Sequence, residues 1–258
     1  MIKNEKINIL GVNVDKTSRK DLVLQIEKIL NNSEQATIFT PNTDMIYKAS
    51  NDAVLKNLIN SSDIAIPDGI GVIIASKIIG KPLDERLPGI ETGEEIIKLA
   101  QKNGYKIFLL GSTDKHLADA KKNLERKYKP LKICGLHNGY FNTIGNENEC
   151  IIEEINSSNA DVVFVCMGFP RQEMWIKNNI KKLKTVKIAI GLGGSIDVWS
   201  GAQKRAPKAF RKLCLEWLWR IINEIWRAKF FLTIPCFIIK LFMQRLFIVK
   251  NDGENAHI

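Results

Sequence analysis

Two hydrophobic periods alternate along this chain, and that alternation restricts its fold more than any other feature. Short apolar, β-branched runs recur at Lys6–Val14, Thr37–Thr40, Asp63–Pro67, Lys106–Leu110, Asp161–Met167 and Val186–Ile190. Between most of them lie amphipathic stretches of helical period, at Ser18–Leu30, Glu91–Asn103, His116–Lys127, Glu149–Ser157 and Gln172–Lys184. Near-continuous apolar strands alternating with helices predict an α/β fold, a parallel sheet covered on both faces. At 258 residues the chain holds one large domain, or one domain plus an appendage. Its hydrophobic share of 45% and charged share of 26% argue against disorder, collagen or coiled coil. No internal repeat or low-complexity linker breaks the series.

Charge is distributed unevenly. Residues 203–250 hold eleven Lys and Arg against only Glu216 and Glu224, so this segment carries nine of the ten net positive charges. It also holds six of the eleven Phe and three of the five Trp. Basic charge alone suits nucleic acid or an anionic membrane surface, and the large apolar side chains tilt the reading toward membrane. Stacking aromatics keep single-stranded nucleic acid open as the alternative. The five cysteines form no Cys-x-x-Cys pair and their number is odd, which argues against a disulfide framework or a thiolate zinc site and fits a reducing compartment. The charged start, Met1 to Lys6, lacks the apolar core of a signal peptide.

Several strands end in Gly or a small polar residue able to start the next helix: Pro67-Asp68-Gly69, Leu110-Gly111-Ser112-Thr113 and Gly191-Leu192-Gly193-Gly194-Ser195. In open α/β folds ligands bind at these carboxyl ends, where helix N-termini attract anions. No P-loop motif occurs, and Gly191-Leu192-Gly193-Gly194 departs from the dinucleotide fingerprint because Ile196 replaces its third glycine. His116, His137 and His257 lie too far apart for a local metal cluster. Asp68, Asp197 and the polar residues of Thr40-Pro41-Asn42-Thr43-Asp44 read either as helix caps, the plain reading for Asp68, or as ligand contacts. Arg86 lies in a charged loop that is solvated on its ordinary reading. Gln172, in Gly168-Phe169-Pro170-Arg171-Gln172-Glu173, either opens a helix or bonds a sugar or phosphate. Cys166 reads as a small buried hydrophobe.

In the basic segment, Phe210, Leu213, Cys214, Trp217, Ile221 and Ile225 recur at three- and four-residue steps, the pattern of an amphipathic helix. Arg220 and Arg227 share a face, and Glu216 and Glu224 each stand four residues from Arg220, so a surface charge ladder is the plain alternative. Phe230–Ile239 is ten uncharged residues interrupted by Pro235, too short to span a bilayer. An interfacial position is expected, with Lys and Arg side chains reaching up to phosphates.

The motifs Thr40-Pro41-Asn42, Pro67-Asp68-Gly69, Arg86-Leu87-Pro88-Gly89, Gly168 to Glu173 and Gly194 to Trp199 occur in that order. Lys204-Arg205-Ala206-Pro207 and Leu215-Glu216-Trp217-Leu218-Trp219-Arg220 follow. The ordered set, from about Lys6 to Val249, resembles the WecG/TagA/CpsF family of bacterial glycosyltransferases. That resemblance implies a Rossmann-like transferase, inverting, independent of metal and of any cofactor. It would move N-acetylmannosamine from a UDP donor to polyprenyl-diphosphate-linked N-acetylglucosamine, making the linkage unit of wall teichoic acid or a related surface polymer. Relatives use other donors too, the uronic acid of N-acetylmannosamine or glucose. By resemblance Asp68 is the general base, Thr40 and Asn42 its polar neighbours, and Arg86 and Gln172 loop residues of the site. Gly111, Ser112, Gly168 and Asp197 fall on the nucleotide and diphosphate side. Arg220 and Arg227 belong to an appendage that completes the site and docks on the membrane.

The expected organisation is a core of residues 1–202, an appendage of 203–250 and a polar tail of 251–258, working at the inner face of the cell membrane. Some relatives self-associate through the body, so a homo-oligomer is among the expected partners, and nucleic acid is not. Deleting residues 203–258 is expected to leave a folded, soluble body with almost no activity. An inert membrane scaffold or a nucleic-acid-binding module ranks below this reading, because neither explains the polar residues gathered after the strands.

Overall fold

The structure, a computed structural model, describes residues 4–32, 34–213, 215–223 and 233–255. The first apolar run does not form one strand. Leu10 and Gly11 both take positive φ, +50° and +90°, and fold it into a tight antiparallel hairpin of β1 (Lys6–Ile9) and β2 (Val12–Asp15). The hairpin stands outside the main sheet.

That sheet consists of β3 (Ala36–Phe39), β4 (Ile64–Ala65), β5 (Lys106–Gly111), β6 (Lys132–His137), β7 (Val162–Cys166) and β8 (Ile188–Gly191). The strands are all parallel, in the order β4-β3-β8-β7-β5-β6. Successive residues point to opposite faces, so each strand feeds two cores. Ile38, Leu109, Phe164 and Ile190 face α1 (Arg19–Asn31), α5 (Gly89–Asn103), α6 (Asp114–Lys127) and α9 (Ser195–Ser200). Phe39, Phe108, Val163, Val165 and Ala189 face α7 (Asn146–Ser157) and α8 (Arg171–Asn179). Chain connections run outward to one edge from β3 to β4 and to the other from β5 to β6, the arrangement that in open α/β sheets sets the ligand crevice at the carboxyl ends.

A third core lies under the hairpin, where Ile7, Ile9, Val12 and Val14 pack on α2 (Thr43–Asn51), α3 (Ala53–Asn60) and α4 (Ile70–Ile78). Its remaining wall comes from the far end of the chain. After the short helices α10 (Lys208–Lys212) and α11 (Glu216–Asn223), α12 (Thr233–Asn255) buries Phe237 and Leu241 in this core. Pro235 lies within α12 and does not interrupt it. Its polar residues turn to the body. Gln244 accepts from the Leu10 N–H at 2.9 Å and donates to the Asn8 carbonyl at 2.8 Å; Arg245 donates to the Ile79 carbonyl, and Lys240 to Ser50. Lys240 and Arg245 therefore brace the helix instead of reaching for phosphates. Leu241→Ala is expected to lower the unfolding free energy by about 2–5 kcal/mol, read by denaturant titration.

Candidate active site

Backbone hydrogen bonds beyond β3 and β4 draw together the polar residues that follow them. Ile66 N–H donates to Phe39, Asp68 N–H to Pro41 at 3.1 Å, and Leu87 N–H to Pro67 at 2.9 Å. Thr40, Asn42, Asp68 and Arg86 thus share one end of the sheet. Asn42 is the N-cap of α2, accepting from the Met45 N–H. Asp68 is not a cap: Gly69, at φ +95°, holds that position before α4, with no side-chain bond. Its half-buried carboxylate stands at the strand end beside the crevice. Thr40 is buried and donates to the Gly191 carbonyl, linking this corner to β8.

Arg86 is not solvated. Its guanidinium meets the Glu216 carboxylate of α11 at 3.3 Å, and both side chains are largely covered. Beside it, Glu91 pairs with Arg19 at 2.7 Å and with Arg205 at 2.9 Å, and Arg205 also reaches Glu94. Burial on its own would raise the Glu91 carboxyl; the bond and charge of Arg19, with the charges of Arg205 and Arg86, hold it below the usual carboxylate value. Ion pairs thereby fasten the basic segment at two points, Glu216 to the loop that carries Arg86 and Arg205 to the first turns of α5.

In the middle of the crevice, Gln172 is a buried strut. Its Oε1 accepts from Gly168 N–H at 3.2 Å and Gly193 N–H at 3.0 Å, while its Nε2 donates to Glu173 at 2.8 Å. Gly168, at φ +77°, adopts a conformation that favours glycine. A side chain at Gly191 would come within 2.8 Å of the Gln172 amide. Gln172 therefore ties the loop after β7 to the loop after β8, and its amide oxygen is already committed.

At the other end, Gly111 lies against the Cys166 backbone, and Ser112 N–H donates to the Cys166 carbonyl. The Ser112 hydroxyl bonds the Asp197 carboxylate, which also meets His116 Nδ1 at 2.8 Å. Asp197 lies in the first turn of α9, whose cap is Gly194. Cys166 is buried as expected, and burial pushes its thiol up to about 12. Arg220 lies on α11; Arg227 falls outside the described residues. Among the described residues, no three of His, Cys, Asp and Glu group closely enough to hold a metal ion, and no helix is long and apolar enough to cross a membrane.

Sequence reasoning gave no role in this crevice to Glu173, His116, Arg205 or Glu216. Glu216 was legible only as a partner of Arg220, four residues away, because its pairing with Arg86 spans 130 residues.

The sequence matches the model of the glycosyl transferase WecG/TagA/CpsF family over residues 7–251. Curated relatives include the N-acetylglucosaminyldiphosphoundecaprenol N-acetyl-beta-D-mannosaminyltransferases of Staphylococcus aureus strains MW2 and NCTC 8325. Each is 35% identical over 238 residues, spanning 92% of both chains.

Proposed function

The chain belongs to the WecG/TagA/CpsF family of glycosyl transferases, and from that premise we propose that it moves N-acetylmannosamine from UDP-N-acetylmannosamine to undecaprenyl-diphosphate-linked N-acetylglucosamine. The observation that carries this reading is the corner formed by Thr40, Asp68 and Arg86 at the ends of β3 and β4, closed by Glu216 of the basic segment. The names of the S. aureus relatives supply donor sugar and acceptor.

In the proposed reaction the acceptor hydroxyl gives its proton to the Asp68 carboxylate as its oxygen attacks the anomeric carbon. The bond from that carbon to the diphosphate oxygen breaks, and its electron pair leaves with UDP. One displacement inverts the anomeric centre. Charge gathering on the diphosphate is met by Arg86 and by arginines of the basic segment, without a metal ion. Asp197, Ser112 and the glycine loops form the nucleotide side. UDP release settles the matter. Purified protein is offered each candidate UDP-sugar with a short-chain lipid-diphosphate-N-acetylglucosamine, EDTA present. Release with UDP-N-acetylmannosamine alone is expected; release with the uronic acid or glucose donor replaces the substrate, and release only without EDTA replaces the metal-free mechanism.

The acceptor is lipid-linked, so the enzyme works at the inner face of the membrane. α12 turns a second apolar face outward, with Ile239, Phe242, Met243, Leu246 and Phe247 all more than half exposed. This face, with Trp217 of α11 and the basic charge of residues 203–250, is the proposed contact with anionic lipid. Phe242→Glu with Leu246→Glu is expected to weaken co-sedimentation with anionic vesicles by about tenfold or more. Thermal stability and turnover of a short-chain acceptor are expected to stay unchanged, because neither side chain is part of the core.

A further inference from the structure

Glu173 is a fully buried carboxyl that the reaction does not use. Its Oε1 accepts from Gln172 Nε2, and its Oε2 has no hydrogen-bond partner among the described residues. We propose that Glu173 is a positioning residue of this site: it fixes the Gln172 amide, and through that amide the two glycine loops bordering the nucleotide side of the crevice.

A glutamine amide has two faces of opposite character, and only one orientation serves here. Both backbone N–H groups, from Gly168 and Gly193, need the oxygen, so the NH2 must point the other way. Glu173 is the acceptor waiting there. Gly191 lies against the same pair, within 2.8 Å of the amide nitrogen and 3.3 Å of the carboxyl if it carried a Cβ, and its carbonyl accepts from Thr40. Contacts therefore run unbroken from Glu173 to the corner that holds Thr40.

An ionised carboxylate with a bare oxygen at this depth is costly, whereas the neutral acid still offers Oε1 to Gln172. Burial pushes the Glu173 carboxyl up to about 7 against the lowering effects of the Gln172 and backbone hydrogen bonds, and no charged side chain is among the groups that act on it. Folded protein thus keeps this proton between pH 4.5 and about 7, while the unfolded chain has released it. The contribution of Glu173 to stability falls as pH rises through that window and is level above it.

The inference rests on the transferase reading, so the test reads UDP binding apart from transfer. Wild type, Glu173→Gln and Glu173→Ala are compared from pH 4.5 to 9 by UDP calorimetry, thermal unfolding and turnover. Glu173→Ala is expected to weaken UDP binding by about tenfold to a hundredfold. Glu173→Gln, which keeps a neutral acceptor, is expected to restore it and to lack the wild-type fall in melting temperature between pH 4.5 and 7. UDP bound by Glu173→Ala as tightly as by wild type overturns the inference, and so does a Glu173→Gln melting profile that still follows wild type. If Glu173→Ala does not fold, the Glu173→Gln pH profile decides alone. A wild type that binds no UDP defeats the transferase reading instead.

Discussion

Asp68→Asn is expected to lower kcat by about 10²–10⁴-fold, the range for loss of a positioned general base, with the KM for the UDP-sugar nearly unchanged. Asparagine keeps the shape of the side chain and cannot take the acceptor proton. Because Asp68 joins the β3 loop through its backbone N–H, the substitution leaves that bond in place. The melting temperature is expected to hold within a degree or two, so lost turnover reads as lost chemistry. Turnover above a tenth of wild type removes Asp68 from the role of base.

A chain ending after residue 202 is expected to lose transfer by about 10³-fold or more. It lacks Glu216, which pairs with Arg86, Arg205, which pairs with Glu91 and Glu94 of α5, and Arg220. The sequence-based expectation was a folded, soluble body, and here the structure adds a cost. Without α12, Phe237 and Leu241 no longer cover the hairpin core, a loss of about 3–6 kcal/mol for two large buried side chains. The truncated protein is expected to melt lower and to bind apolar dyes. Glu216→Gln in the full chain separates the two effects, since α12 stays docked while the Arg86 contact loses its charge; a tenfold drop in kcat at unchanged melting temperature is expected.

The sheet was legible because its inner strands are continuous apolar runs, as in Val162–Cys166, and such runs suit a layer covered on both faces. β6 went unread because Lys132, Gly135 and His137 break the apolar pattern of an edge strand. The hairpin was missed because its one signal is the pair Leu10-Gly11, and leucine rarely takes positive φ. Site residues following strands were visible for the same reason the strands were. Gln172 is legible as a motif residue, but nothing local says that its amide is buried between two loops. Glu173 was passed over because a charged residue in the first turn of a helix reads as solvated until the packing is known. Phe230–Ile239 reads as interfacial from an apolar stretch interrupted by proline; the face of α12 that closes the core depends on residues 166 to 236 positions earlier.

That closure has a consequence for how the protein is made. Gln244 and Leu10, which hydrogen-bond in the finished fold, are 234 residues apart. At a synthesis rate of about 5–20 residues per second, the hairpin leaves the ribosome roughly 10–50 s before the helix that covers it. During that interval the nascent chain carries an open apolar surface, first of Ile7 and Ile9 and, once they are made, of Ile73 and Ile79. Covering of the hairpin core therefore waits for α12, and ribosome pausing shortly before residue 233 is expected to raise the aggregated fraction.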